Sequence, residues 1–291
     1  MTAMGVQLPY LVFAAIFLVL AAVVKFTHLP QFISTEKIEK GIGALRYPHL
    51  VLGMIAIFVY VGAEVSIGSL FINYAKEVAG LAEINAKSFL AYYWGGLMIG
   101  RFLGSISLGD NKSTGAMYLK MSVSALVIYG LISGIVLLES TQSGEKFSLV
   151  STLPYLGFMA IQFIGFVLGK SRAARTLFIF SLIIISLLVV TTFTGGYVAL
   201  WTVIAVGLFN SIMWSNIFTL AIKDLGQHTS QGSSLLVMMI LGGALVPLAQ
   251  GWFADMMGGY HASFFIPIIC YIYLAFYGLK GHNFSFKKGL I

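Results

Sequence analysis

The chain has 291 residues, 59% of them hydrophobic and only 9% charged, with a net charge of +7. A soluble domain carries roughly 25% charged residues, so this chain cannot cover itself with a solvated surface. The single cysteine, Cys270, excludes an internal disulfide framework, and the five histidines lack metal-ligand spacing, so no metal or other cofactor is implied.

Apolar runs of about 18 residues or more read as membrane helices. Nine segments approach that length: 8–26, 49–74, 88–108, 115–138, 150–169, 174–194, 197–222, 233–254 and 261–280. The first is too long for a signal-peptide core, and no small-residue cleavage site follows it. The next stretch, 27–48, is polar and carries Pro30 and Pro48, so it reads as a linker.

The second span contains "AIFVYVGAEVSIGSLFIN", in which Glu64 lies mid-run. A carboxylate there costs about 2.5–3.5 kcal/mol on insertion scales. At 100° per residue Glu64 shares a face with Tyr60, Ile67, Gly68 and Phe71. Gly62, Ser66, Ser69 and Asn73 cluster on roughly the opposite face. Neither face suits lipid, so this helix is expected to be enclosed by protein or to border a wet cavity. Glu64 is then a substrate acceptor or a titrating group, the default for an intramembrane acid. The alternative is a protonated carboxyl bonded to a neighbouring helix.

The third span carries Gly96, Gly100 and Gly104 at four-residue spacing, a stripe that lets another helix approach closely. Tyr92, Tyr93 and Trp94 toward its outer end fit an interfacial belt or a ligand contact equally well. Arg101, about one turn inside the other end, is expected to snorkel or to bind helix-end carbonyls. The seventh span, "VGLFNSIMWSNIFTLAIKDLG", holds Asn210 and Trp214 on one face, with Ser211, Ser215 and Asn216 nearby. Amides that donate and accept, together with an aromatic face, suit a neutral polyhydroxylated ligand. Interhelical hydrogen bonding is the competing use, typically about 0.6 kcal/mol per bond. In the eighth span Gly242, Gly243 and Pro247 mark a tightly packed or kinked helix. Gln250 is its lone amide, and Asp255 caps or ends it.

Orientation follows from the basic residues. With the linker cytoplasmic and sides alternating, thirteen fall inside: Lys25, Lys37, Lys40, Arg46, Lys112, Lys120, Lys170, Arg172, Arg175, Lys223, Lys280, Lys287 and Lys288. Lys76, Lys87 and Lys146 fall outside, and Arg101 lies within a span. The positive charge is thus topological and calls for no nucleic-acid partner, and the C-terminus is cytoplasmic. The sequons at Asn111 and Asn283 then fall inside and are chance matches.

Three blocks, "FVYVGAEVSIGSLFINYA" (58–75), "YYWGGLMIGRFLGS" (92–105) and "LFNSIMWSNIFTLAIKDLGQHTSQGSSLLVMMILGGALVPLAQGWFADMMG" (208–258), resemble the fucose permease and glucose/galactose transporter branch of the major facilitator superfamily. The resemblance implies an all-α polytopic membrane protein with two six-helix halves, of which this chain matches the C-terminal one. Residues 1–26 then correspond to the last helix of the N-terminal half and 27–48 to the cytoplasmic loop between halves. Residues 49–282 form the C-terminal bundle, and 283–291 a basic tail. Glu64 falls on the family's seventh helix, Arg101 on the eighth and Asn210 and Trp214 on the tenth. Residues 109–171 supply a pair of segments where the family has a short loop, and "GKSRAARTLF" resumes the pattern, so they read as an inserted helical pair. Ser215 and Asn216 stand where relatives often carry a proline.

The implied function is cation-coupled uptake of a monosaccharide across the bacterial cytoplasmic (inner) membrane, with proton or sodium as coupling ion. Tyr60, Glu64, Asn210, Trp214, Asn216 and Gln250 are the expected sugar contacts. Gly62, Gly96, Gly100, Arg101, Gly104, Gly242, Gly243 and Asp255 are the expected packing and gating positions. The first five helices of the fold are not present in these residues, which suggests a truncated or split product paired with a separate N-terminal half. An assembly fragment without transport is the second reading. A membrane-embedded enzyme is the third, and the lone Glu64 gives it no paired acid or nucleophile.

Overall fold

A computed structural model describes residues 3–27, 43–109, 113–143 and 148–284. The chain divides into two units, Met1–Glu39 and Lys40–Ile291. In the first, Ala3–Phe26 form a single helix, α1, whose stretch Tyr10–Phe26 is apolar and exposed throughout. Most of the proposed linker and all of the tail beyond Phe284 lie outside the described residues, as do Asn111, Lys112 and Lys146.

The second unit is a helical bundle, and no strand occurs among its described residues. In order it comprises α2 (Pro48–Ala79), α3 (Glu83–Leu108), α4 (Thr114–Ser143), α5 (Leu153–Gly169), α6 (Ala173–Phe193), α7 (Gly196–Asn210), α8 (Met213–Ala221), α9 (Thr229–Met238), α10 (Gly242–Met257), α11 (Tyr260–Ser263) and α12 (Phe265–Leu279). Short 3₁₀ turns at Gly43–Arg46, Leu149–Thr152, Gly226–His228, Met239–Leu241 and Gly281–Asn283 join or flank them. Among the described residues, seven stretches are long and apolar enough to cross a membrane: Pro48–Ala79, Thr114–Thr141, Leu149–Gly169, Ala173–Phe193, Gly196–Ala221, Gly226–Met257 and Tyr260–Leu279. The expected span at 88–108 is a helix of sufficient length, but it is not among the seven. Arg101 and the weakly hydropathic Tyr92, Tyr93 and Trp94, with five glycine or serine positions from Gly95 to Ser105, make it too polar to qualify by composition.

Two features fix the arrangement of the bundle. The first is alternation: the start of α2, the end of α8 and the end of α12 meet. His49 Nε2 lies 2.8 Å from the Lys223 carbonyl, and Tyr277 Oη donates to the His49 carbonyl at 3.1 Å. At the opposite end the Glu77 carboxylate accepts the Tyr260 N–H at 2.9 Å. The second feature is close backbone approach at glycine. The Gly96 stripe packs against α7, and a Cβ at Gly96 would lie 2.9 Å from the Leu208 nitrogen. One at Gly104 would lie 2.5 Å from the Ile212 side chain, and Gly100 sits against Ser211 and Gln162. Where α2 crosses α10, a Cβ on Gly242 would lie 2.7 Å from the Phe58 carbonyl carbon. Gly62 faces Val246 there, and Gly243 faces Val61 and Val65. The sequence expectation of tight packing at these glycines therefore has a geometric counterpart at each.

Helices α4 and α5, the expected inserted pair, join the bundle through tyrosines. Tyr92 Oη on α3 and Ser133 Oγ on α4 are 3.0 Å apart, and Tyr155 Oη on α5 donates to the Tyr92 carbonyl at 2.8 Å. Tyr129 and Tyr155 stack at 6.2 Å. Tyr92 and Tyr93 are wholly buried, so the belt expected at 92–94 reduces to the exposed Trp94. Their hydroxyls find partners within the bundle, which an interfacial position would not provide.

Asp255 does not end its helix. Helix α10 runs on to Met257 and closes on Gly258 at φ 73°, while the Asp255 side chain is exposed. An acid is in any case unfavourable near the negative end of the helix dipole.

Candidate functional site

The site is built from α2, α3, α7, α8 and α12. Tyr60 and Glu64 are one turn apart on α2, so the Tyr60 hydroxyl meets the Glu64 carboxyl. The same hydroxyl is 3.0 Å from the Asn210 carbonyl, near the end of α7. From α3, Tyr93 Oη donates to the Glu64 backbone carbonyl at 2.9 Å. From α12, Tyr271 Oη donates to Asn210 Oδ1 at 2.8 Å, and Asn210 Nδ2 reaches the Tyr93 oxygen at 3.4 Å. Four helices are thereby tied around one carboxyl. Tyr60, Tyr93, Asn210 and Tyr271 are at most 2% exposed, whereas Glu64 is half-buried. Glu64 is thus held on its inner side by a tyrosine and retains an outer side. The described residues place one cation within electrostatic reach of it, Arg101.

Arg101 is exposed and borders a pocket of about 360 Å³ between α3 and the α7–α8 junction. Gly104, Ser105, Ser211, Trp214 and Ser215 form much of the remaining wall. The junction is a helix break: α7 stops at Asn210, Ile212 adopts φ −115° and ψ 5°, and α8 begins at Met213. The break occurs without a proline and turns Trp214 toward the pocket, half-buried and stacked on Phe218 at 6.4 Å. An indole face, two serine hydroxyls and a guanidinium offer a ring-stacking surface with both donors and acceptors. Arg101, expected to snorkel or to bind helix-end carbonyls, is exposed and lies on this wall.

The other expected contacts are distributed differently. Asn210 spends both ends of its amide on tyrosines and is sealed from the pocket. Gln250 is wholly buried on the far side of α2: its Oε1 accepts the Ser66 hydroxyl, and its Nε2 donates to Ser263 Oγ at 3.1 Å. It staples α10 to α2 and α11, away from Glu64, because Ser66 and Glu64 project from opposite faces of one helix. Asn216 is 3% exposed with its Nδ2 unpartnered. Of the expected site residues, Arg101 and Trp214 line the pocket, while Glu64 stands outside its lining, bonded to Tyr60 and within electrostatic reach of Arg101.

Sequence reasoning did not single out Tyr271 and Gln162. Tyr271 looked like one aromatic among several in an apolar span. Gln162 carried a readable signal, as the one amide within the apolar run 153–169. It is wholly buried, and its Nε2 donates to the Leu208 carbonyl just before the break.

No family model matches the chain. Among curated proteins, it is 39% identical over 285 residues to a glucose/galactose transporter of Brucella abortus, covering 95% of this chain and 54% of that protein. It is 31% identical over 288 residues to a putative glucose/galactose transporter of Helicobacter pylori, covering 97% and 56%. The L-fucose-proton symporter of Escherichia coli is 26% identical over 277 residues, covering 92% and 50%. Among solved structures, the E. coli fucose:proton symporter, a major facilitator superfamily transporter, superposes with a TM-score of 0.63 at 25% identity, covering 94% of this chain and about 54% of that one. A peptide transporter at 15% identity and TM-score 0.53 shares the fold alone. The resemblance to the fucose permease and glucose/galactose branch, read from three sequence blocks, is borne out along nearly the whole chain. The chain spans about half the length of the curated relatives it matches.

Proposed function

We propose that this chain is the C-terminal bundle of a monosaccharide–cation symporter in the cytoplasmic (inner) membrane, with its C-terminus cytoplasmic. One observation carries the reading: a half-buried intramembrane carboxyl, Glu64, lies within electrostatic reach of Arg101, which walls a pocket together with Trp214 and serine side chains. A sugar ring stacks on Trp214 and its hydroxyls bond to Ser105 and Ser215, while Glu64 accepts a hydroxyl from the side left free by Tyr60. The relatives' names support the substrate class, glucose, galactose or fucose. The E. coli relative's name favours a proton over sodium as coupling ion. The thirteen-to-three division of basic residues supports the orientation. Residues 109–171 act as an inserted pair, and an insertion of two spans leaves sidedness unchanged.

Alternating access in such folds rocks two bundles around a site at their interface. The bundle 49–282 therefore works against a second bundle, which we take to be an N-terminal half joined to it or made separately. Trp214, Arg101 and the exposed Trp94 and Met98 of α3 face that partner.

The test is uptake of labelled glucose, galactose and fucose into cells lacking their own carriers, with and without a co-expressed N-terminal half. Uptake that appears only on co-expression is the expected result. In that active pair, Glu64→Gln should keep much of the sugar binding, because the amide oxygen still accepts, and Glu64→Ala should lose it by about tenfold or more. Parent-like binding and uptake in both variants would reduce Glu64 to a packing residue and remove the basis of the reading.

A further inference from the structure

The ends of α7 and α8 pose a specific problem. The last four carbonyls of a helix have no partner within it, and inside a membrane they must find one. Two of the carbonyls at the end of α7 meet side chains from elsewhere in the bundle. The Asn210 carbonyl meets the Tyr60 hydroxyl of α2, and the Leu208 carbonyl accepts Gln162 Nε2 of α5. Gln162 comes from the segment proposed above as an inserted pair, so on that reading it is unlike the other groups in this region. It is 0% exposed, its Oε1 has no partner, and Ser211 Oγ beside it has none either. Gly100 makes room for both: a Cβ there would collide with the Ser211 hydroxyl and the Gln162 amide. Because Gly100 carries no side chain, Gln162 reaches the break and Ser211 sits between it and the pocket wall.

We infer that Gln162 is a positioning residue for the pocket: by binding the Leu208 carbonyl it holds the α7–α8 break in the geometry that turns Trp214 and Ser215 toward the pocket. The inserted pair thereby acts on the transport site through one side chain, bound three residues before the buried Ser211. Without the amide donor, the Leu208 carbonyl recovers a partner when the chain continues α7 as regular helix through 211–212. Continuing the helix rotates everything after it, and Ser215 leaves the pocket wall. The consequence for transport rests on the sugar-site reading above; the geometry itself does not.

The experiment reads that rotation directly. Ser215→Cys is introduced into the full 291-residue chain in membranes, and its labelling rate by a water-soluble maleimide is measured. Cys270 is buried and serves as the internal background. Ser69→Cys, at an exposed position on α2, is the second reporter. Gln162→Met keeps the volume and removes the donor; Gln162→His restores a donor of similar reach. Gln162→Met should slow Ser215→Cys labelling by about five- to tenfold, the population change that loss of one buried hydrogen bond supports. It should leave Ser69→Cys unchanged, and Gln162→His should recover most of the rate. Parent-like labelling in Gln162→Met would overturn the inference. An equal loss at both reporters would overturn it too, because Gln162 would then support the whole bundle and not the break. Neither result depends on whether a sugar is bound or moved.

Discussion

Two of the interrupted spans of this bundle are held in different ways. The stretch Gly196–Ala221 breaks between α7 and α8, and 83% of its apolar window is buried. The stretch Gly226–Met257 is interrupted by the turn Met239–Leu241 between α9 and α10, and only 22% of its window is buried. The first break is braced by side-chain donors, Gln162 and Tyr60, from two other helices. The second is pinned by backbone approach, with Gly242 pressed on the Phe58 carbonyl and Gly62 facing it. A break enclosed by neighbours can be supplied with polar partners from several directions. A break on an open flank has one neighbour, so closeness to that neighbour must fix it. Both breaks have glycines pressed against them, but the enclosed one adds buried side-chain donors that the open one lacks among the described residues.

The largest effect should come from filling the glycine-pinned crossing. Gly242→Val places branched carbons where the Phe58 carbonyl lies, and α2 and α10 must separate; the loss should be ~3 kcal/mol or more. Gly251→Ala in the same helix meets nothing within 4 Å and should gain up to ~1 kcal/mol from helix propensity. Thermal unfolding in detergent reads both. Opposite signs for two glycines nine residues apart would sharpen the contrast, and equal signs would erase it.

The next effect belongs to the enclosed break. Asn210→Leu fits the volume but strands the Tyr271 hydroxyl, which is fully buried and bonds to Asn210 Oδ1. The expected cost is ~2 kcal/mol, the penalty of one unsatisfied buried group. A Tyr271→Phe change in the same chain should return part of it, because both partners are then apolar. If the double variant is as unstable as the sum of the two single ones, the tyrosine–amide bond is not what holds this end of α7.

The smallest effect lies outside both breaks. Lys87 holds the exposed Glu83 carboxyl below its ordinary value, through a contact of 2.9 Å. A depressed acid contributes stability above its unfolded pKa and loses it as pH falls through the folded value. Because both partners are exposed, Glu83→Gln should unfold at the parent temperature across that window. A measurable shift would mean that charge at the start of α3 reaches the bundle.

The sequence by itself determined the membrane class, the helical segments and the family resemblance. Run length, residue spacing and short motifs are local properties, and the chain carries them wherever it folds. It also marked Glu64 as out of place and Trp214 as a stacking surface, since a polar or aromatic residue inside an apolar run is visible without a partner. It did not separate Asn210 from Trp214, which share a helix face by spacing but diverge at the break, one sealed among Tyr93 and Tyr271 and the other turned to the pocket. Nor did it place Gln250 opposite Ser66, or Gln162 against Leu208, partners separated by 184 and 46 residues. Periodicity tells which residues of one helix point together. Which neighbour they meet depends on how the other helices pack, and only the tertiary structure decided whether each polar group faces a ligand or another side chain.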